Sequence, residues 1–218
     1  LLIAKPKDLF HFSLGDVGEF LRRTFPVVAN ETLWGLGTVV TSVIFSNMGY
    51  EYYAAITIFR TFSDIAFAFF IGFGNACVIM VGKSIGMGKI DRGILDARRF
   101  SILVPLLGVV LGAFILCFRT QLISIFNTSG TISDVTMQAT MAILLIYALE
   151  VPFRNLPYVQ VVGVFRSGGD TFKGMLIDLI CLWLLAIPAT YLCAYVFYLP
   201  FPVVFAVLYL VEDVPKCI

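Results

Sequence analysis

Between Phe100 and Phe118 the sequence carries no charged residue, and five other segments come close to the same condition. A run of that length matches the roughly 20 apolar residues with which an α-helix crosses about 30 Å of hydrocarbon. The 218 residues are 60% apolar and 13% charged, whereas a soluble domain holds about 45–50% apolar and about 25% charged residues because its surface meets water. This chain cannot build that surface, so the composition predicts a polytopic membrane protein with the lipid bilayer as its solvent. It excludes a disordered chain and a secreted disulfide scaffold. With 15 Lys+Arg against 14 Asp+Glu there is no basic field for nucleic acid.

Hydropathy places six spans at about 25–45, 54–81, 100–118, 137–165, 174–197 and 201–218, giving an all-α integral membrane fold. Residues 1–24 read as a cytoplasmic linker and 25–218 as one six-helix membrane lobe. The missing initiator Met and the apolar Leu1–Ala4 are expected of a fragment of a longer protein. Pro152 and Pro157 predict a kinked fourth span, since proline removes a backbone donor. Lys and Arg collect on one side: Lys5, Lys7, Arg22 and Arg23, then the Gly-containing loop from Gly82 to Arg99, then Arg166 and Lys173. The opposite loops hold only Arg119. The positive-inside rule therefore puts the basic loops in the cytoplasm.

A charge at the centre of a membrane helix costs about 2.5–3.5 kcal/mol, so each one needs a partner, a cavity or a function. Glu31 shares one helix face with Gly35, Thr38 and Ser42, a stripe suited to a water-filled cavity or a packed seam. It reads either as a cation- or proton-binding group or as a protonated structural acid. On the second span Thr57, Arg60, Asp64, Ala68, Gly72 and Asn75 form a similar stripe, in which Arg60 and Asp64 are spaced to neutralise each other. Glu150 and Arg154 repeat that spacing on the fourth span, with Tyr147 and Tyr158 on the same face and Pro152 between them. Asp178 is expected to meet the Arg166–Asp170 loop or Lys173. Glu212 and Asp213 lie about 16 Å into the last span, with Lys216 spaced to pair with Glu212.

Several motifs fail. Gly82-Lys83-Ser84 ends like a phosphate-binding loop, but the earlier glycine would fall on Cys77. The five cysteines are scattered and His11 is the only histidine, so neither a disulfide set nor a zinc site is expected. Nothing offers a catalytic grouping, and an enzyme is not expected. Gly108 and Gly112 have the spacing of close helix contact, a pattern that apolar helices often meet by chance. Asn127-Thr-Ser129 fits a glycosylation acceptor.

Three segments in this order, Pro26 to Gly35, Gly72 to Lys89 and Val162 to Thr171, resemble the carboxy-terminal half of MATE-family multidrug and toxic compound extrusion transporters. The resemblance implies one lobe of a twelve-helix transporter in the cell membrane, whose missing amino-terminal lobe lies on the same chain. It implies export of cationic or amphiphilic small molecules in antiport with Na⁺ or H⁺, with no other cofactor. Glu31 matches the acidic residue that many members carry on their seventh helix, so it is the expected cation-coupling residue and a candidate Na⁺ ligand. Trp34, Thr38, Arg60, Asp64, Asn75, Tyr147, Glu150 and Arg154 are candidate cavity-lining or substrate-binding residues. Two other readings stay open: a flippase for lipid-linked oligosaccharides within the same superfamily, and a non-transporting membrane scaffold.

Overall fold

The computed structural model describes residues 14–126 and 132–217, without the side chains of Leu14 and Arg23. Lys5, Lys7, His11 and the Asn127–Ser129 acceptor lie outside the described residues. Every regular element among those described is helical. Three long helices come first: α1 (Leu14–Met48), α2 (Tyr50–Gly86) and α3 (Ile90–Phe126). At 1.5 Å per residue a 37-residue helix such as α2 or α3 is about 55 Å long, far more than the hydrocarbon core needs. The polar ends expected to form loops are therefore helical extensions. Gly82 to Arg99 is the end of α2 and the start of α3, and residues 14–24 continue into the first span without a break.

The links between these helices depend on glycine. Gly49, with φ at 147°, is the single residue between α1 and α2, and Gly88, with φ at 73°, lies in the short turn between α2 and α3. Side chains rarely adopt either conformation. Then α4 (Asp134–Tyr158) begins at Ser133, whose hydroxyl accepts the Thr136 backbone N–H at 3.2 Å. This cap is shared across helices, because the Ser133 and Thr136 hydroxyls also donate to the Glu51 carboxylate at the start of α2.

Prolines shape the rest of the fourth span. Pro152 and Pro157 cannot donate to the carbonyls of Ala148 and Phe153. The Cys217 thiol approaches the Phe153 carbonyl at 3.7 Å, and the helix continues as a π-helical segment, Val159–Phe165. The expected distortion is present in that form. The fifth span, Thr171–Val196, alternates α and π turns: α5 (Thr171–Leu179), Ile180–Ala186, α6 (Ile187–Tyr191) and Leu192–Val196. The sixth is shorter than expected. Helix α7 (Phe201–Asp213) gives way to a 3₁₀ turn, Val214–Lys216, so among the described residues five helices are long and apolar enough to cross a membrane.

The core is aromatic where α1, α2, α4 and α7 meet. Phe59 of α2 stands edge-on to Tyr147 and Phe205, each at 5.0 Å, while Phe201 stacks on Tyr52 at 4.7 Å. Large apolar side chains such as Ile65, Ile102, Val110 and Leu184 point outward, as lipid-facing residues do. Helix α3 packs on α4 through Gly108 and Gly112. A Cβ at Gly108 would lie 2.5 Å from the Pro152 Cα, and one at Gly112 would collide with the Ala148 carbonyl. That is the carbonyl that Pro152 leaves without its helical donor. The glycine pair is thus a real close contact. Gly112→Leu should force the helices apart and lower the unfolding midpoint of the purified protein, with an overpacking cost of about 1–3 kcal/mol; Gly18→Ala, where a Cβ meets nothing within 4 Å, should not.

Candidate functional site

A cavity of about 330 Å³ opens between α1, α2, α4, α5 and α7. Asn30, Glu31 and Trp34 reach it from α1, and Ser63, Asp64, Phe67 and Ile71 from α2. The fourth span contributes Tyr147, Arg154, Asn155 and Tyr158, then Val161 and Arg166 beyond α4. Asp178 comes from α5, and Glu212, Asp213 and Lys216 come from α7 and the turn after it. Tyr158 packs so closely on α2 that a Cβ at Gly74 would lie 2.8 Å from its ring, and it stands edge-on to Phe67 at 4.8 Å. These rings form one apolar wall.

The charges of the cavity pair across helices. Arg166 donates to Glu31 at 2.5 Å, joining α1 to the turn after the fourth span. Arg154 reaches Asp213 at 3.5 Å while its guanidinium lies 3.9 Å from the Tyr209 ring and 6.0 Å from that of Tyr147. Lys216 lies 2.6 Å from Asp178 and 3.1 Å from Glu212. Asn30 donates to the other oxygen of Asp178 at 3.1 Å. Five carboxylates and three basic groups line the space, so its formal charge is negative.

Expected and observed placements differ in instructive ways. Glu31, Trp34, Asp64, Tyr147 and Arg154 come together at the cavity. Glu31 is not enclosed by this chain: its side chain is 58% exposed, so the low-dielectric surroundings expected for it are not supplied by these helices alone. Thr38 is absent from the wall, its hydroxyl donating to the Gly35 carbonyl of its own helix at 2.7 Å. Arg60 does not neutralise Asp64, because its guanidinium turns to Ser42 of α1 at 2.7 Å. Asn75 is exposed and lies outside the cavity.

Glu150 forms no ion pair or hydrogen bond with Arg154. Its carboxylate faces an apolar recess between α4 and α7, lined by Leu149, Phe153 and Leu210 among others, and neither oxygen meets a donor among the described residues. Asp178 pairs with Lys216 rather than with Lys173, which is 2.5 Å from Asp170. The Glu212–Lys216 pair forms as its spacing predicts. No group of three or more His, Cys, Asp or Glu side chains among the described residues is placed to hold a metal ion.

Comparison with known proteins places this geometry. The MatE family model matches residues 26–192. The chain belongs to the MatE family. It is 26% identical over 155 residues to a probable multidrug resistance protein NorM of Pasteurella multocida, an alignment covering 71% of the chain and 32% of that protein. The corresponding protein of Mannheimia succiniciproducens is 29% identical over 157 residues, 70% of the chain and 32% of the relative. The aligned region thus spans about a third of these curated relatives. The fold matches a crystal structure of MATE in the straight conformation with a TM-score of 0.78 at 14% identity, covering 98% of the chain and 47% of that one. A crystal structure of MATE in complex with MaL6 matches at 0.77 and 14% identity, over 97% and 47%.

Sequence reasoning passed over Asn30 and Asn155 as neighbours of charged residues, although uncharged amides can be buried on a cavity wall at less cost. It also assigned Arg166 to a loop. Within this MatE chain Asp213 is buried and Arg154 partly so, and about 3–5 kcal/mol, the loss on removing one member of a fully buried pair, is the upper bound here. Asp213→Asn should therefore destabilise the purified protein by no more than that in thermal or denaturant unfolding. Adding Arg154→Met should recover part of the loss.

Proposed function

We propose that this chain is one six-helix lobe of a twelve-helix secondary transporter in the plasma membrane, which exports cationic or amphiphilic compounds in antiport with Na⁺ or H⁺. The basic helix ends face the cytoplasm, and a second six-helix lobe on the same polypeptide closes the central space. The observation that carries this reading is the cavity, whose carboxylates outnumber its bases beside the rings of Trp34, Tyr147 and Tyr158. Negative potential attracts a cation, and aromatic faces hold it by stacking and cation–π attraction. The names of the NorM relatives point the same way.

The exposed polar stripe of α2 supports a facing lobe. Thr57, Asp64, Ala68, Gly72 and Asn75 all lie open on this chain. An ionisable group such as Asp64 facing lipid would be costly, whereas one facing a water-filled cleft between two lobes is not. Coupling follows from competition at Glu31. A proton or Na⁺ taken up there displaces Arg166, and a cationic substrate entering the same field disfavours that uptake; by linkage each ligand weakens the other equally.

The flippase reading is weaker on the same ground. An anionic lipid-linked substrate needs unengaged bases, whereas Arg154, Arg166 and Lys216 are all held by carboxylates. A scaffold has no need of a charged cavity. In cells carrying the full-length protein, Glu31→Gln should reduce dye efflux to the level of cells lacking the transporter. Its membrane abundance and unfolding midpoint should match those of the parent. Undiminished efflux would remove Glu31 from the coupling step.

A further inference from the structure

Lys216 is a buried ammonium on a short tether. Its side chain is 3% exposed, it follows α7 directly, and it lies within reach of Asp178 at 2.6 Å and Glu212 at 3.1 Å. An ammonium has three N–H donors. Two of them have acceptors here. A third acceptor stands nearby and unused: Asn30, only 5% exposed, gives its Nδ2 to Asp178, while its Oδ1 meets no donor among the described residues. Leaving such an oxygen buried without a donor is unfavourable. All four residues line the cavity.

We propose that Asp178, Glu212 and the Asn30 carbonyl oxygen form a subsite for the ammonium head of an organic amine, and that Lys216 is its tethered competitor. An incoming amine carries the same charge and the same donors as Lys216, and because the tethered lysine stays in the cavity the exchange raises the formal charge there by one, toward neutrality from five carboxylates against three bases. Free of a stem fixed to α7, the amine is able to donate to all three acceptors. Lys216, released, turns its flexible four-carbon chain into the cavity beside Asp213, whose carboxylate already serves Arg154. The subsite therefore favours primary amines over quaternary ions, which have no N–H to offer. This inference rests on reading the cavity as a chamber for cations, and it specifies which head group the chamber prefers.

The test measures binding and transport separately on the purified full-length protein in lipid nanodiscs and in liposomes. Benzylammonium and benzyltrimethylammonium are titrated calorimetrically into the parent, Lys216→Met, and Lys216→Gln, which leaves all three acceptors in place and whose amide still donates to the two acids should the methionine variant not fold. Benzylammonium should bind about tenfold more tightly to whichever of the two variants folds, with little change for the quaternary ion. Asp178→Asn added to either variant should abolish the gain. Unchanged affinity overturns the proposal. So does equal tightening of both ions, which signals a long-range field effect, or a gain that survives Asp178→Asn. Failure of both variants to fold assigns the cluster to structure and also overturns it. Export by the parent with unchanged binding in the variants defeats the subsite alone, whereas absence of export by the parent counts against the transport reading and leaves the binding comparison to decide the subsite.

Discussion

An ammonium buried among apolar helices persists only where carboxylates surround it, and that constraint fixes where α1, α5 and α7 can lie. Lys216 needs Asp178 and Glu212, and Asp178 in turn holds Asn30. Three helices are tied at one depth by this chain of contacts. Arg154 repeats the logic between α4 and α7, through Asp213 and the face of Tyr209. Buried ion pairs are not strong sources of net stability, because desolvation offsets most of the attraction. Their effect is selective: an arrangement that separates the partners leaves bare charges in a low dielectric, so alternative packings of the same helices are excluded.

The backbone prepares the space in which these pairs meet. Pro152 and Pro157 free carbonyls along one stretch of α4, and after Tyr158 the helix relaxes into the π segment Val159–Phe165 that carries Val161 past the cavity wall. Widened turns of this kind are frequent at functional sites. On the far side the same stretch is packed tightly, with Gly108 and Gly112 of α3 lying against Pro152 and the freed Ala148 carbonyl. The irregular helix is therefore buttressed on one face and open on the other, and polar side chains collect on the open face.

This division explains what could be read from the sequence. Membrane insertion filters residue by residue, so the apolar spans are visible without knowing any contact. Helical periodicity then assigns faces, and Glu31, Trp34, Asp64, Tyr147 and Arg154 lie on the cavity wall. Partner choice is different. Arg60 and Asp64, or Glu150 and Arg154, are neighbours in spacing, yet Arg60 turns to Ser42 and Arg154 to Asp213 because a neighbouring helix offers a closer acceptor. Asp178 ignores Lys173 for a lysine on another helix. Such choices depend on helix packing, which no local pattern encodes. The end of α7 at Asp213 was equally hidden, since hydropathy does not distinguish a regular helix from the 3₁₀ turn that replaces it.

Glu150 and Asp64 occupy opposite situations. Glu150 meets no hydrogen-bond donor among the described residues and shares its largely apolar recess with Asp213 and the flank of Tyr209. Asp64 lies exposed on α2 beside the cavity mouth, where solvent or a facing lobe completes its surroundings. One acid is thus sequestered from the cavity, and the other belongs to it only when the space is filled from outside this chain. The exposed half of Glu31 makes the same demand. Glu31 and Asp64 are completed only from outside these helices, whereas the Lys216 cluster is paired within them except for the Asn30 carbonyl oxygen, and a cavity built from both kinds responds to what enters from the opposite side.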